Sequence, residues 1–122
     1  MTMTKAALVV DDSISVRQVV SLVMKNAGFE VYEAADGKQA LDLLDGRKLH
    51  IIISDINMPE LDGISFVKAA KAIEEYQYTP ILMLTTESSS DMKKKGAEAG
   101  VKAWLVKPFQ PKKLLMAINK LT

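Results

Sequence analysis

The sequence predicts an α/β fold, a doubly wound parallel sheet of five strands alternating with five helices. Five short apolar runs recur along the chain, and the segments between them have helical periodicity, a pattern typical of successive βαβ units. The run Ile51, Ile52 and Ile53 consists of three β-branched residues, which pack well on a pleated sheet and crowd a helix. A strand that is apolar on both faces is typical of a parallel sheet covered by helices on both sides. We expect right-handed crossovers between the strands.

Length and composition limit the classes of protein that the chain can represent. Its 122 residues suit a single domain, residues 1–122, and 16 basic against 15 acidic residues give a net charge of +1. We therefore expect neither a nucleic-acid nor a membrane partner. The chain has no cysteine and one histidine, so disulfides, thiolate metal sites and multi-histidine sites are excluded. No apolar run approaches the ~20 residues of a membrane span, and residues 1–5 lack the apolar core of a signal peptide. We therefore expect a cytoplasmic protein.

The first βαβ unit begins with a buried strand over residues 6–10 that ends at Asp11 and Asp12. Ser13 stands in a good position to cap the helix that follows. Residues 26–28 end that helix. Its predicted buried stripe, at spacings of three and four, is Val16, Val19, Val20 and Val23.

The second strand is predicted over residues 31–34, close to the sheet edge because it carries Glu33. Asp36 caps the next helix, and Gly46 is its stop signal. His50, directly before the third strand, is predicted to be a solvated loop residue without a function. The third strand ends on Asp55, and a Pro-Gly loop then leads to a helix predicted from about residue 64 to residue 75.

Pro80 opens the fourth strand, residues 81–84, which ends at Thr85 and Thr86. The helix capped near residues 88–91 is poor, because it has three consecutive lysines and an interior glycine, and we expect it to be the least rigid. The fifth strand, residues 101–106, closes on Lys107 and Pro108. The buried stripe predicted for the last helix is Leu114, Leu115, Ile118 and Leu121.

Polar residues follow four of the predicted strands, at the edge where open α/β sheets bind their ligands. These residues are Asp11, Asp12, Asp55, Thr85 and Lys107. Three crowded carboxylates repel one another, so one of them must be protonated, bind a cation or pair with the lysine. Oxygen ligands without His or Cys favour Mg²⁺. A carboxylate beside Mg²⁺, a hydroxyl and an ammonium also form a workable phosphoryl-transfer site, with Asp55 attacking phosphorus.

Each of these residues also has a simpler explanation when taken alone. Taken alone, Asp12 is best explained as a turn residue at a strand end, and Thr86 as a β-branched residue that simply packs in the strand. Lys107 is best explained as a lysine that reaches from the sheet end into water. Trp104 on a strand is more often a core residue than a switch. The functional interpretation depends on all five polar positions falling at strand ends in order. No glycine-rich phosphate loop follows the first strand, which argues against a dinucleotide or P-loop protein.

At these positions the chain resembles the receiver domain of two-component response regulators. The motifs span the whole chain in order, and they are Val9-Val10-Asp11-Asp12, Ser54-Asp55-Ile56-Asn57-Met58-Pro59 with Asp62-Gly63, Leu84-Thr85-Thr86, and Val106-Lys107-Pro108-Phe109. The resemblance implies a flavodoxin-like fold with strand order 2-1-3-4-5. It also implies a stand-alone, chemotaxis (CheY-like) regulator with no attached output domain.

The resemblance further implies a role for each site residue. Asp55 would accept a phosphoryl group from the phosphohistidine of a sensor kinase. Mg²⁺ would be held by the side chains of Asp12 and Asp55, by Asp11 partly through water, and by the Asn57 backbone carbonyl. Thr85 and Lys107 would bind the phosphoryl group, Trp104 would turn inward when Thr85 moves, and the Lys107–Pro108 bond would be cis. Further active-site positions are Thr86, Glu87 and Pro108.

The partners implied are a sensor histidine kinase, an effector such as a flagellar motor switch component, and a phosphatase. The effector would bind the surface of the fourth helix, fifth strand and fifth helix, and the protein would be a monomer or a weak, phosphorylation-dependent dimer. We expect a self-phosphorylating and self-dephosphorylating switch, not an enzyme with an external metabolite. Alternatives are a phosphate sink or phosphorelay intermediate, a small Asp-nucleophile phosphatase of the haloacid-dehalogenase type, and a flavodoxin-like electron carrier. Asp55-Ile56-Asn57 departs from the Asp-x-Asp of such phosphatases, and Asp11-Asp12 would oppose a flavin phosphate.

Overall fold

The computed structural model describes residues 4–122, which form a five-stranded parallel sheet between two layers of helices. The sheet order is β2-β1-β3-β4-β5, as the resemblance to receiver domains implies, and every neighbouring pair is parallel. The strands are β1 Lys5–Val10, β2 Phe29–Ala34, β3 Ile51–Ser54, β4 Ile81–Thr85 and β5 Ala103–Val106. The helices are α1 Ile14–Asn26, α2 Gly37–Leu43, α3 Gly63–Lys71, α4 Ser90–Ala99 and α5 Pro111–Leu121. Most of residues 1–5, where the sequence argues against a signal peptide, lie outside the described residues.

Two apolar clusters cover the two faces of the sheet. Ile52 belongs to the cluster under α2, α3 and α4, whereas Ile51 and Ile53 belong to the cluster under α1 and α5. This alternation follows from the two-residue period of a strand. It confirms that β3 is buried on both faces. Among the described residues, none of the helices combines the length and apolar character needed to cross a bilayer.

Side-chain caps fix where four of the helices begin. Ser13, Asp36, Asp62 and Ser89 each accept a hydrogen bond from a backbone N–H in the first turn of the helix that follows. Such a cap contributes about 1 kcal/mol to stability. The fifth helix has no side-chain cap and instead begins with Pro111 at a position where its missing N–H costs no hydrogen bond. The first two helices start within four positions of the preceding strand end, whereas a longer loop separates β3 from α3.

Two helices differ from the sequence-based prediction. The prediction for α1 included Val19, which is 46% exposed, and omitted Met24, which is fully buried together with Val20. The buried face of α1 is therefore rotated toward the Val20–Met24 side. The prediction for the third helix was also too long, because α3 ends at Lys71 and a separate 3₁₀ turn follows at Glu74–Tyr76.

His50 lies in the loop before β3, as predicted, but its side chain is half-buried and hydrogen-bonded rather than solvated. Its backbone N–H donates to the carbonyl of Ala6, and its Nδ1 accepts the N–H of the same residue at 2.9 Å. The side chain therefore satisfies a β1 backbone group at the point where the pairing with β3 starts. Because 44 positions separate the two residues, sequence spacing does not reveal this contact.

Candidate functional site

The carboxylate of Asp55 lies directly after β3 and is largely buried. Its Oδ1 accepts the backbone N–H of Ile56 at 2.7 Å, and its backbone carbonyl accepts the hydroxyl of Ser54 at 2.9 Å. Both contacts are local, so the end of the strand itself orients the carboxylate. Oδ2 is left to face the neighbouring strands.

The end of β1 brings two more carboxylates to this edge. One oxygen each from Asp11, Asp12 and Asp55 lies within 4.8 Å of the others. Asp11 is buried, and its Oδ1 accepts the N–H of Ser13, whereas Asp12 is exposed. Arg17 donates to the backbone carbonyl of Asp11 at 2.7 Å and so fixes the loop that carries both carboxylates.

Lys107, after β5, supplies the counter-charge. Its Nζ lies 2.7 Å from Oδ2 of Asp11 and 3.0 Å from Oδ2 of Asp55. Burial lowers the pKa of Lys107, but its hydrogen bonds to the two carboxylates outweigh burial and hold the pKa above its ordinary value. Crowded carboxylates can be protonated, bind a cation or pair with the lysine, and this geometry shows pairing with the lysine.

For the pKa of Asp11, burial outweighs the hydrogen bonds. It raises the pKa of that carboxyl, and the opposing hydrogen bonds from Lys107 and Ser13 do not fully compensate. The nearby negative charge of Asp55 raises the pKa of Asp11 further. One ammonium therefore does not balance the cluster, and a further cation would lower its electrostatic energy.

The donor set matches Mg²⁺. The three carboxylates offer hard oxygen ligands, with neither a sulfur nor an imidazole ligand among them. The exposed position of Asp12 leaves one side open to the water molecules that Mg²⁺ retains. Asn57 follows in the exposed loop after Asp55, and its role as a carbonyl ligand stays a prediction.

The end of β4 contributes a buried hydroxyl. Thr85 is fully buried, and its Oγ1 accepts the N–H of Glu87 at 3.3 Å. Thr86 is exposed and lies outside the strand, so it does not simply pack in the strand. Thr85 therefore sits at the expected sheet edge and orders the start of the β4–α4 loop.

The Lys107–Pro108 bond is cis, as the resemblance implies. Pro108 also lies in an open, mainly apolar groove of about 460 Å³ between α1 and the β5–α5 loop, next to the acidic cluster. The residues that line this groove are Ser15, Val16, Val19, Thr86, Lys107, Pro108, Phe109 and Pro111.

Trp104 lies apart from the acidic cluster. Strand alternation places Trp104 with the apolar cluster under α2, α3 and α4, and Leu105 with the opposite cluster. The indole Nε1 donates to the backbone carbonyl of Glu87 at 2.8 Å. Trp104 is thus joined to the loop that follows Thr85 rather than to the carboxylates.

Gly63 is a structural requirement of the site that the sequence analysis missed. Its N–H donates to the carbonyl of Ile56 at 2.8 Å, which brings the start of α3 against the backbone of Asp55. A Cβ at position 63 would lie 2.1 Å from the Asp55 carbonyl oxygen, far inside van der Waals contact. The Asp62-Gly63 pair was the only sequence signal, and its meaning depends on this tertiary contact.

Comparison with known proteins agrees with this geometry. Residues 7–119 match the family model described as the response regulator receiver domain. The transcriptional regulatory protein SrrA of Staphylococcus aureus is 31% identical over 98% of this chain, and the chain spans about half (48%) of the length of SrrA.

Solved structures show the same similarity. The chemotaxis protein CheY4 of Vibrio cholerae is 47% identical, with a TM-score of 0.94 over 98% of this chain and 100% of that one. The receiver domain of the sensor histidine kinase PA1611 of Pseudomonas aeruginosa has 26% identity and a TM-score of 0.89, with 98% of each chain covered. That structure has a magnesium ion coordinated in its active site cleft.

Proposed function

The chain belongs to the response regulator receiver domain family, and from this premise we propose that Asp55 is its phosphoacceptor. Receiver domains are phosphorylated by sensor histidine kinases, act on effectors and bind Mg²⁺ at an acidic pocket. In this proposal the donor is the phosphohistidine of such a kinase, and residues 1–122 form a single receiver domain.

The observation that supports this most strongly is the position of Lys107 between Asp11 and Asp55. A buried nucleophilic carboxylate is poorly suited to attack a negatively charged phosphoryl group unless cations neutralise the charge. Lys107 already contacts Oδ2 of Asp55 at 3.0 Å. It is therefore placed to pair with a phosphoryl oxygen as the new bond forms.

The transfer is a single displacement at phosphorus. A carboxylate oxygen of Asp55 forms the P–O bond of an acyl phosphate while the P–N bond to the kinase histidine breaks, and the bonding pair returns to the imidazole. Lys107 moves from the carboxylate to the phosphoryl group, and the hydroxyl of Thr85 hydrogen-bonds the same group. Attack by water on the acyl phosphate then reverses the signal.

Mg²⁺ would be held by side-chain oxygens of Asp11, Asp12 and Asp55 and by the Asn57 carbonyl. When bound, it neutralises charge on the phosphoryl oxygens and on the attacking carboxylate. The buried Asp11 and the exposed Asp12 then have different roles, because the first also keeps Lys107 in place and the second faces water.

The output is proposed to be a change at the surface formed by α4, β5 and α5. Glu87 connects Thr85 and Trp104 to that surface, because its backbone N–H donates to Oγ1 of Thr85 and its backbone carbonyl accepts the indole N–H of Trp104. A groove of about 390 Å³ at the β5–α5 side has an apolar floor with Lys102, Lys113 and Lys120 around it. These charges suit an effector segment that carries acidic side chains beside apolar ones.

The similarity to CheY4 supports chemotaxis or motility as the pathway, with a flagellar switch component as the effector. A phosphate sink or a phosphorelay intermediate uses the same chemistry without that effector. An external metabolite is not expected as substrate, since Asn57 stands where Asp-nucleophile phosphatases carry a second Asp. Cytoplasmic location, a phosphatase partner and a weak phosphorylation-dependent dimer stay predictions.

Transfer from a phosphorylated kinase tests the proposal. A histidine kinase labelled on its phosphohistidine is mixed with this protein in Mg²⁺ and, separately, in excess EDTA. We expect the label to move to this protein only with Mg²⁺. A separate capture experiment identifies the effector, by comparing the proteins bound by fluoroberyllate-loaded protein with those bound by untreated protein.

A further inference from the structure

Gly96 and Trp104 make a contact that any side chain at position 96 would prevent. Gly96 is buried in the middle of α4, on the side that faces β5. A Cβ added there would lie 2.6 Å from Cζ3 of Trp104 and 3.4 Å from Cε3. Glycine normally weakens a helix interior relative to alanine, so its presence here calls for a compensating contact. The indole ring provides that contact.

The indole cannot move away from position 96 without losing other interactions. Its Nε1 donates to the Glu87 carbonyl at 2.8 Å, and its backbone is paired with Met83 of β4. The ring also packs against the apolar cluster under α2, α3 and α4. A displaced ring would therefore lose a hydrogen bond and buried apolar contact together.

There is nevertheless space into which the ring could be displaced. A small groove of about 160 Å³ lies beside Trp104, between α4 and β5. Lys93, Ala97, Val101 and Lys102 line it. A ring pushed from Gly96 would enter this groove and become more accessible to solvent.

We propose that Gly96 is a positioning residue that leaves room for the Trp104 indole in the half-buried position where its Nε1 reaches the Glu87 carbonyl. It thereby preserves the hydrogen bond that ties the β4–α4 loop to β5. That loop starts at Thr85, so residue 96 controls how firmly the loop beside the phosphoryl site is held. Only the description of Trp104 as part of a switch rests on the proposed function; the packing relationship does not.

The test is a thermal double-mutant cycle on the unphosphorylated chain without added metal, so the outcome does not depend on phosphoryl transfer. The proteins are wild type, Gly96→Ala, Trp104→Ala and the double variant. In the Trp104→Ala background, alanine at position 96 should raise the melting temperature by about 2–5 °C, the usual effect of replacing a helical glycine. In the presence of Trp104 the same change should lower it.

Fluorescence reports the ring directly, because Trp104 is the only tryptophan. Gly96→Ala should shift the emission to longer wavelength and increase quenching by acrylamide, with Glu98→Ala at an exposed position of α4 as a control that leaves the spectrum unchanged. A rise in melting temperature of equal size in both backgrounds, with an unchanged emission spectrum, would overturn the proposal. If Gly96→Ala does not fold while the double variant does, the steric conflict is demonstrated in its strongest form.

Discussion

The ammonium of Lys107 lies 3.0 Å from Oδ2 of Asp55, although 52 positions separate the two residues in the chain. The same ammonium contacts Asp11 at 2.7 Å, so the ends of β1, β3 and β5 meet at one cation. This contact makes the acidic site a part of the fold as well as a candidate reaction centre. Changes at the site should therefore alter both stability and chemistry.

Replacing Lys107 with methionine should destabilise the metal-free protein by about 2–4 kcal/mol, because it leaves two partly buried carboxylates without a counter-charge. The apolar stem of the side chain is retained, so the loss reports mainly the charge. Urea denaturation measures the change, with Lys112→Met at an exposed position as the matched control. Equal stability of the two variants would contradict the assigned role of Lys107.

The contribution of Lys107 to stability should also depend on pH in a defined direction. Its folded pKa lies above the ordinary 10.5, so the stabilisation is complete below that value and is lost as pH rises through the folded pKa. The stability difference between wild type and Lys107→Met should therefore be constant near neutral pH and shrink only above about 10.5. If the stability difference between the two proteins is already lost when the pH is raised from 7 to 9, the result would be inconsistent with this ion pair.

Asp12→Ala should make the metal-free protein more stable and nearly insensitive to Mg²⁺. It removes one charge from three that repel, and it removes a ligand that faces solvent. Melting curves with and without Mg²⁺ measure both effects, since a ligand that binds the folded state raises the melting temperature. Asp42→Ala on the exposed side of α2 is the control, and the Mg²⁺ response should persist in it. An equal Mg²⁺ shift in wild type and Asp12→Ala would exclude Asp12 as a ligand.

Gly63→Ala should cost about 2 kcal/mol or more, because its Cβ would overlap the carbonyl oxygen of Asp55. The first turn of α3 would have to move away from the loop after β3, which should also lower the rate of Asp55 phosphorylation. Ser90→Ala, at the equivalent first position of α4, is the control and should change stability little. If the two substitutions have similar effects, the close approach at Gly63 is not required.

Much of the fold was predictable, because β-branched runs and polar strand ends are local signals. The meeting of Asp11, Asp55, Thr85 and Lys107 at one sheet edge followed from parallel strands alone, whereas the strand order followed from the resemblance to receiver domains. Side-chain packing was less predictable. The rotation of α1 toward Met24 and the backbone contact of His50 depend on neighbours that sequence spacing does not reveal.

The two functionally placed glycines illustrate the same limit. Gly96 was interpreted as a weakness in α4, whereas the structure shows an indole ring packed against it. Gly63 was part of a motif without a stated physical role. In both cases the reason for glycine is an atom distant in sequence, so only tertiary structure identifies it.

The identity of the phosphoacceptor is tested most directly by incubating the protein with acetyl phosphate and Mg²⁺ and locating the added group by mass spectrometry. Wild-type protein should gain one phosphoryl group on the peptide that contains Asp55, and EDTA should prevent the gain. Asp55→Asn should remain unmodified, while Asp42→Asn should behave as wild type. Efficient phosphorylation of Asp55→Asn at another carboxylate would contradict the assignment of Asp55.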